Sequence, residues 1–178
     1  CQERDILFIV DEVQTGVGRT GTFYSYQQFG IQPDLVSSAK GLGGGLPIGA
    51  VLFGEKTQDT LIPGDHGSTF GGNPVVCAGA VEVLNRMDDT FLQNVTAKGR
   101  HMREEIEKMP HVTSVAGMGM MLGIELDIDV KPVVTALMEN GLLVLTAKHK
   151  MRLLPPLNIA QTELEKGLSI LKNTLAAL

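Results

Sequence analysis

The chain has 178 residues and a formal net charge of −5 at neutral pH, with 43% hydrophobic, 20% charged and 4% aromatic residues. That composition suits a globular domain with a real core, and with no basic run and few aromatics it argues against a nucleic-acid partner. No apolar stretch reaches membrane-spanning length, no secretory signal opens the chain, and Cys1 and Cys77 form neither a CxxC nor a metal-finger spacing, so a cytoplasmic protein without a metal site or membrane contact is expected.

The chain opens at Cys1 and soon enters an apolar run, ILFIV (Ile6 to Val10), which reads as part of something longer. The run predicts a strand buried on both faces, as in a parallel sheet covered by helices. It leads into Asp11, Glu12 and a Gly-rich loop, TGVGRTG. FYSYQQFG (Phe23 to Gly30) predicts a short helix stopped by Gly30. After a turn at Pro33-Asp34, Leu35 to Ala39 predicts a second strand ending at Lys40, and Ile48 to Phe53 a third. Strands separated by loops and helices indicate an α/β architecture. GGNP (Gly71 to Pro74) opens a helix, with Asn73 as N-cap and Pro74 as first helical residue. Its apolar stripe is Val76, Ala80, Val83 or Leu84, and Met87.

Leu92, Val95, Gly99, Met102, Ile106 and Met109 share one face of an amphipathic helix ended by Pro110. Val112 to Ala116 and Met120 to Leu126 predict strands around Gly117 and Gly119. Val130 to Asn140 predicts a helix between an Asp129 cap and a Gly141 stop, and Leu142 to Thr146 and Met151 to Leu154 two more strands. Thr162 and Glu165 have capping-box spacing ahead of Leu164, Leu168, Leu171, Leu175 and Leu178. A boundary is expected near Met87 to Thr90, dividing residues 1–88, part of a larger α/β sheet, from a smaller α+β unit at 89–178.

Lys40 is the one charged residue in SSAKGLGGGLPIGA (Ser37 to Ala50). It reads either as a solvated loop lysine or as an amine held in a dry site, where it can act as a nucleophile. Asp11, just past the first strand, reads either as a loop or cap carboxylate or as one half of a pair with Lys40. In open α/β sheets ligands bind outside the carboxyl ends of strands, where such a pair would meet. An amine that condenses with an aldehyde, plus a carboxylate that keeps a ring nitrogen protonated, is the combination pyridoxal phosphate needs. HGSTFGGNP (His66 to Pro74) sets hydroxyls and glycines before a helix start, which suits either a phosphate or an ordinary capped loop.

DEVQTGVGRTG (Asp11 to Gly21), SSAKGLGGGLPIGAV and HGSTFGGNP together strongly resemble the class III pyridoxal-phosphate aminotransferases, collinearly over nearly the whole chain. The resemblance implies a fold-type I fragment: part of the large-domain mixed sheet plus a small C-terminal α+β domain. It implies that Lys40 forms the Schiff base, Asp11 pairs with the pyridine nitrogen, Val13 packs on the ring face and Gln14 approaches the phenolic oxygen. It further implies a homodimer in which Thr69 reaches the phosphate of the partner's cofactor, with Ser68 contacting substrate and Arg152, in MRLLPP, gripping the α-carboxylate. Glu12 receives no direct contact. The implied reaction transfers an amino group between N-acetylornithine and 2-oxoglutarate in arginine biosynthesis. Ornithine, succinylornithine or 4-aminobutyrate as substrate, or a catalytically silent assembly module, are the alternatives. The family's first phosphate loop and ring-stacking aromatic lie before this point, so the 178 residues alone are expected to be inactive.

His66, His101 and His149 read as loop or surface residues, Met118, Met120 and Met121 as packing, and Cys77 as core. Arg19 is assigned only to ordering the Gly-rich loop.

Overall fold

Three short strands build the first sheet. They are β1 (Ile9–Asp11), β2 (Leu35–Ser38) and β3 (Ala50–Phe53), in the order β1-β2-β3. β1 and β2 are parallel, with Asp11 beside Ser37, and β2 and β3 are antiparallel. The computed structural model describes residues 1–178, which divide into two compact units, Cys1–Leu92 and Gln93–Leu178.

The apolar run behaves differently from its expectation as a strand buried on both faces. The strand begins only at Ile9, and Ile6, Leu7 and Ile9 are about half exposed. In this sheet β1 pairs only with β2, so its apolar side chains have little to bury against. The segment expected as a helix from Phe23 is a 3₁₀ turn at Ser25–Phe29, ended by Gly30 at φ 61°. Gly30 takes that left-handed conformation at little steric cost.

Helix α1 (Pro74–Asn85) starts as its sequence specifies: the Asn73 side chain accepts from the Val75 and Val76 backbone amides, and Pro74 opens the helix. A small core in this unit joins buried Val17, Leu42 and Ala80, with Ile48, Val83 and Met87 packed against it.

In the second unit an antiparallel sheet runs in the order β4-β5-β7-β6: β4 (Val112–Met118), β5 (Met121–Leu126), β6 (Leu145–Ala147) and β7 (Lys150–Leu153). Helix α2 (Asp89–Ile106) spans the division between the units and buries Val95, Gly99, Met102 and Ile106, the expected face. Arg103 on α2 donates to the Val115 and Gly117 carbonyls of β4. Helix α3 (Val130–Glu139) is capped by the Asp129 side chain at the Lys131 amide.

Two expectations at the C-terminus are corrected. Helix α4 (Gln161–Ala176) starts from Ala160, whose carbonyl already accepts from the Leu164 amide, so Thr162 lies inside the helix and cannot cap it. Glu165 instead accepts from Gln161 and pairs with His101 at 2.7 Å. Leu178 lies beyond the helix and is exposed, whereas Leu164, Leu168, Leu171 and Leu175 are buried. The strand expected from Leu142 begins only at Leu145.

Gly99 fixes how closely α2 approaches the Gly119 turn, because a Cβ at Gly99 would overlap the Gly119 carbonyl. Backbone cannot move aside as a flexible side chain can. Gly99→Ala should therefore destabilise the protein by about 1–3 kcal/mol despite alanine's better helix propensity. Chemical denaturation checks this, and an unchanged midpoint would show that the turn yields.

Candidate active site

A parallel strand pair places both carboxyl ends at one edge of a sheet. Here that edge carries Asp11, the last residue of β1, and Lys40, two residues past β2. The Asp11 side chain is exposed, and its Oδ1 accepts from the Val13 amide at 2.9 Å and from the Ser37 hydroxyl at 2.9 Å. The Val13 amide, then the Ser37 hydroxyl, and to a smaller degree the Lys40 charge hold this carboxyl below the usual aspartate range.

Glu12, the first residue past β1, still bonds its amide to Ser37 of β2 and keeps the strand's alternation, turning inward where Asp11 turns outward. Glu12 is fully buried. Its carboxylate accepts from the Thr15 hydroxyl, from the Ser25 hydroxyl at 2.6 Å and from the Tyr26 amide at 2.9 Å. Its own amide donates to the Ser37 carbonyl, and its carbonyl accepts from the Gly16 amide. Gly16 has no room for a side chain there, since a Cβ would sit 2.8 Å from the Glu12 carbonyl oxygen and 2.9 Å from the Tyr24 ring.

The next residue, Val17, is buried at φ 53°. A β-branched residue in the left-handed region carries strain on the order of 1–3 kcal/mol. Val17 nevertheless fits against Gly41, where an added Cβ would meet its side chain at 3.3 Å. Lys40 also lies in the left-handed region, at φ 48°, and opens a 3₁₀ turn over Lys40–Gly43. Lys40, read either as solvated or as held dry, is exposed in this chain. Val17 and Leu42 are buried in one core cluster next to this turn, with Gly41 resting against Val17.

The other expected residues are more scattered. Val13 is half-buried and Gln14 exposed beside Asp11. Ser68 and Thr69 sit in a loop exposed throughout residues 61–72, where the Ser68 hydroxyl accepts from the Gly71 amide at 3.0 Å. Arg152 belongs to the second unit, on β7, opposite Gly123 of β5 and Leu145 of β6. Its Nε is buried without a hydrogen-bond partner, and it lines a cavity of about 310 Å³ with Leu143, Leu145, Pro155 and Pro156. A buried, unpartnered guanidinium donor carries a desolvation cost that an anion would relieve.

Sequence reasoning left Glu12 without a role. The available signal was two consecutive acids at a strand end, which alternation must send to opposite sides, followed by hydroxyls at Thr15 and Ser25.

The profile of a family described as "Aminotransferase class-III" matches residues 1–175. A relative named acetylornithine aminotransferase, from Haemophilus ducreyi, is 53% identical over 99% of this chain and 45% of its own length. Among solved structures, the ornithine aminotransferase from Toxoplasma gondii is similar with a TM-score of 0.92 and 35% identity over 99% of this chain and 44% of that one. The acetylornithine aminotransferase from Elizabethkingia anophelis has a TM-score of 0.90 and 36% identity, over 100% of this chain and 50% of that one. The chain thus spans about half the length of the relatives it matches.

Because Ser37 supplies one of the two hydrogen bonds on Asp11, Ser37→Ala should move the Asp11 titration upward, toward the usual aspartate value of about 3.9. With its pKa lowered by folding, Asp11 contributes stability above the unfolded-state value, and that contribution disappears as pH falls through the folded one. Following the side-chain carboxyl carbon by NMR checks both points. A midpoint unmoved by Ser37→Ala would show that the hydroxyl does not hold the carboxylate.

Proposed function

The chain belongs to the class-III aminotransferases and has a mixed α/β fold of that kind, and we propose that it takes part in pyridoxal-phosphate-dependent transamination of N-acetylornithine with 2-oxoglutarate. The observation that carries this reading is the edge of the first sheet: an outward carboxylate held ionised by two donors, next to the strand whose following turn presents Lys40. Relatives named acetylornithine aminotransferase, 42% to 53% identical over 98% to 99% of the chain, support the choice of donor. The likeness to solved ornithine aminotransferases favours ornithine as the second reading. No helix is long and apolar enough to cross a membrane, and both cysteines are free, so a cytoplasmic site of action is part of the proposal.

The residues at the sheet edge fit the cofactor chemically. When bound, pyridoxal phosphate supplies an aldehyde that captures amines and a ring that accepts electrons from a substrate carbanion. Lys40 Nζ would hold it covalently, and once released would move the proton at the amine-bearing carbon of the substrate. Asp11, ionised at working pH, would keep the ring-nitrogen proton in place. Val13 would pack on one ring face and Gln14 would hydrogen-bond the phenolic oxygen. In a homodimer, Thr69, in a loop exposed throughout residues 61–72, would reach the phosphate of the partner's cofactor. Ser68 would contact substrate. Arg152 would bind the substrate's α-carboxylate, which its unpartnered Nε favours.

Reducing the protein with borohydride in the presence of pyridoxal phosphate, then mapping peptides, should place the pyridoxyl label on Lys40. Label on Lys56 or Lys148 instead would overturn the assignment. For Arg152, replacement by lysine keeps the charge but loses the planar fork. Both half-reactions should weaken by roughly tenfold or more, since donor and acceptor each carry the carboxylate. Loss confined to one half-reaction would remove Arg152 as the shared anchor.

A further inference from the structure

We propose that Glu12 is a positioning residue: its buried carboxylate pins the loop after β1, and through that loop sets both Asp11 and the packing of Val17 against Gly41, next to Lys40. The proposal rests on the reading of Asp11 and Lys40 as cofactor residues.

A buried carboxylate is costly unless donors surround it. Glu12 has three, drawn from two segments: Thr15 in its own loop, and Ser25 and the Tyr26 amide in the 3₁₀ turn. Three donors from two segments converge on one carboxyl group, so this cluster is a firm anchor. It acts in two directions. Toward the solvent, the residue after Glu12 is Val13, whose amide donates to Asp11. Toward the core, the Glu12 carbonyl accepts from Gly16, which leads into Val17 in its strained conformation beneath Gly41. Strain of this kind persists only where neighbouring contacts over-determine it. The Glu12 amide, bonded to the Ser37 carbonyl, keeps the same loop registered on β2, where Ser37 supplies the second donor to Asp11.

The three donors differ in a useful way. The Tyr26 amide can only donate, whereas the Thr15 hydroxyl can rotate to accept. Glutamine at position 12 can therefore direct its carbonyl oxygen at Ser25 and Tyr26 and its amide at Thr15. Alanine offers nothing.

The test follows the Asp11 carboxyl titration by NMR, and amide hydrogen exchange at Val13, in the 178-residue chain without cofactor. The Val13 amide, then the Ser37 hydroxyl and the Lys40 charge lower the Asp11 titration, and of these the Val13 amide lies in the loop that the Glu12 side chain ties to Thr15, Ser25 and Tyr26. Glu12→Gln should leave both readouts close to those of the unchanged chain. Glu12→Ala should shift the Asp11 midpoint upward and speed Val13 exchange about tenfold or more, with the amides of α1 as the control for general destabilisation. If Glu12→Ala does not fold, Thr15→Val removes one donor and should move both readouts in the same direction by less. Unchanged readouts in folded Glu12→Ala, or in Thr15→Val where the alanine variant fails, overturn the proposal, as does equal acceleration in α1. No cofactor enters this experiment, so its failure would leave the attachment at Lys40 to the separate peptide-mapping result.

Discussion

The first unit depends on a strand's alternation at one point. Asp11 and Glu12 are consecutive acids, and the pleat sends one to solvent and the other inward. The inward carboxylate is satisfied by Thr15, Ser25 and Tyr26, and so ties the loop to the turn alongside the Gln28 bonds to Thr20 and Thr22. The outward carboxylate then finds two fixed donors and stays ionised. Burial of one charge and exposure of its neighbour are two results of the same backbone geometry.

The same loop also explains the conformation near the amine. Val17 adopts a left-handed conformation that β-branched residues avoid, and Lys40 another that few residues favour. Both lie where the loop after β1 meets the turn after β2, with Gly41 small enough to rest on Val17. Strain gathered at one spot, next to a carboxylate and an amine, is the pattern expected of a site whose geometry is held by its surroundings. The second unit contributes a different resource: a guanidinium on a central strand of its sheet, with one buried donor left for an anion.

Features governed by local chemistry were legible in the sequence. The Asn73 and Asp129 caps, the Gly30 stop and the buried face of α2 all follow from a few neighbouring residues. What the sequence did not disclose depends on partners far along the chain. The Ile6 to Val10 run looked like a doubly buried strand because its composition is apolar, but burial needs covering elements that β1 lacks here. Thr162 has the right spacing for a cap, yet the helix begins two residues too early for it to serve. Glu12 was the largest omission: two of its donors sit 13 and 14 residues away, beyond any local motif. Asp11 and Lys40 form a pair in the sequence because both follow strand-like runs, and the parallel register sets the two strand ends at one edge. Their roles came from motif resemblance, which geometry alone would not have supplied.

The proposed role of Asp11, the charge that serves a cofactor ring, is the claim most directly open to test. Asp11→Asn keeps the shape of the side chain and removes that charge, so transamination by the complete protein loaded with pyridoxal phosphate is the decisive measurement, with bound cofactor quantified alongside. Cofactor should still be attached at Lys40 while turnover falls by roughly 10²-fold or more. Turnover close to that of the unsubstituted complete protein, with cofactor bound, would remove Asp11 from that role.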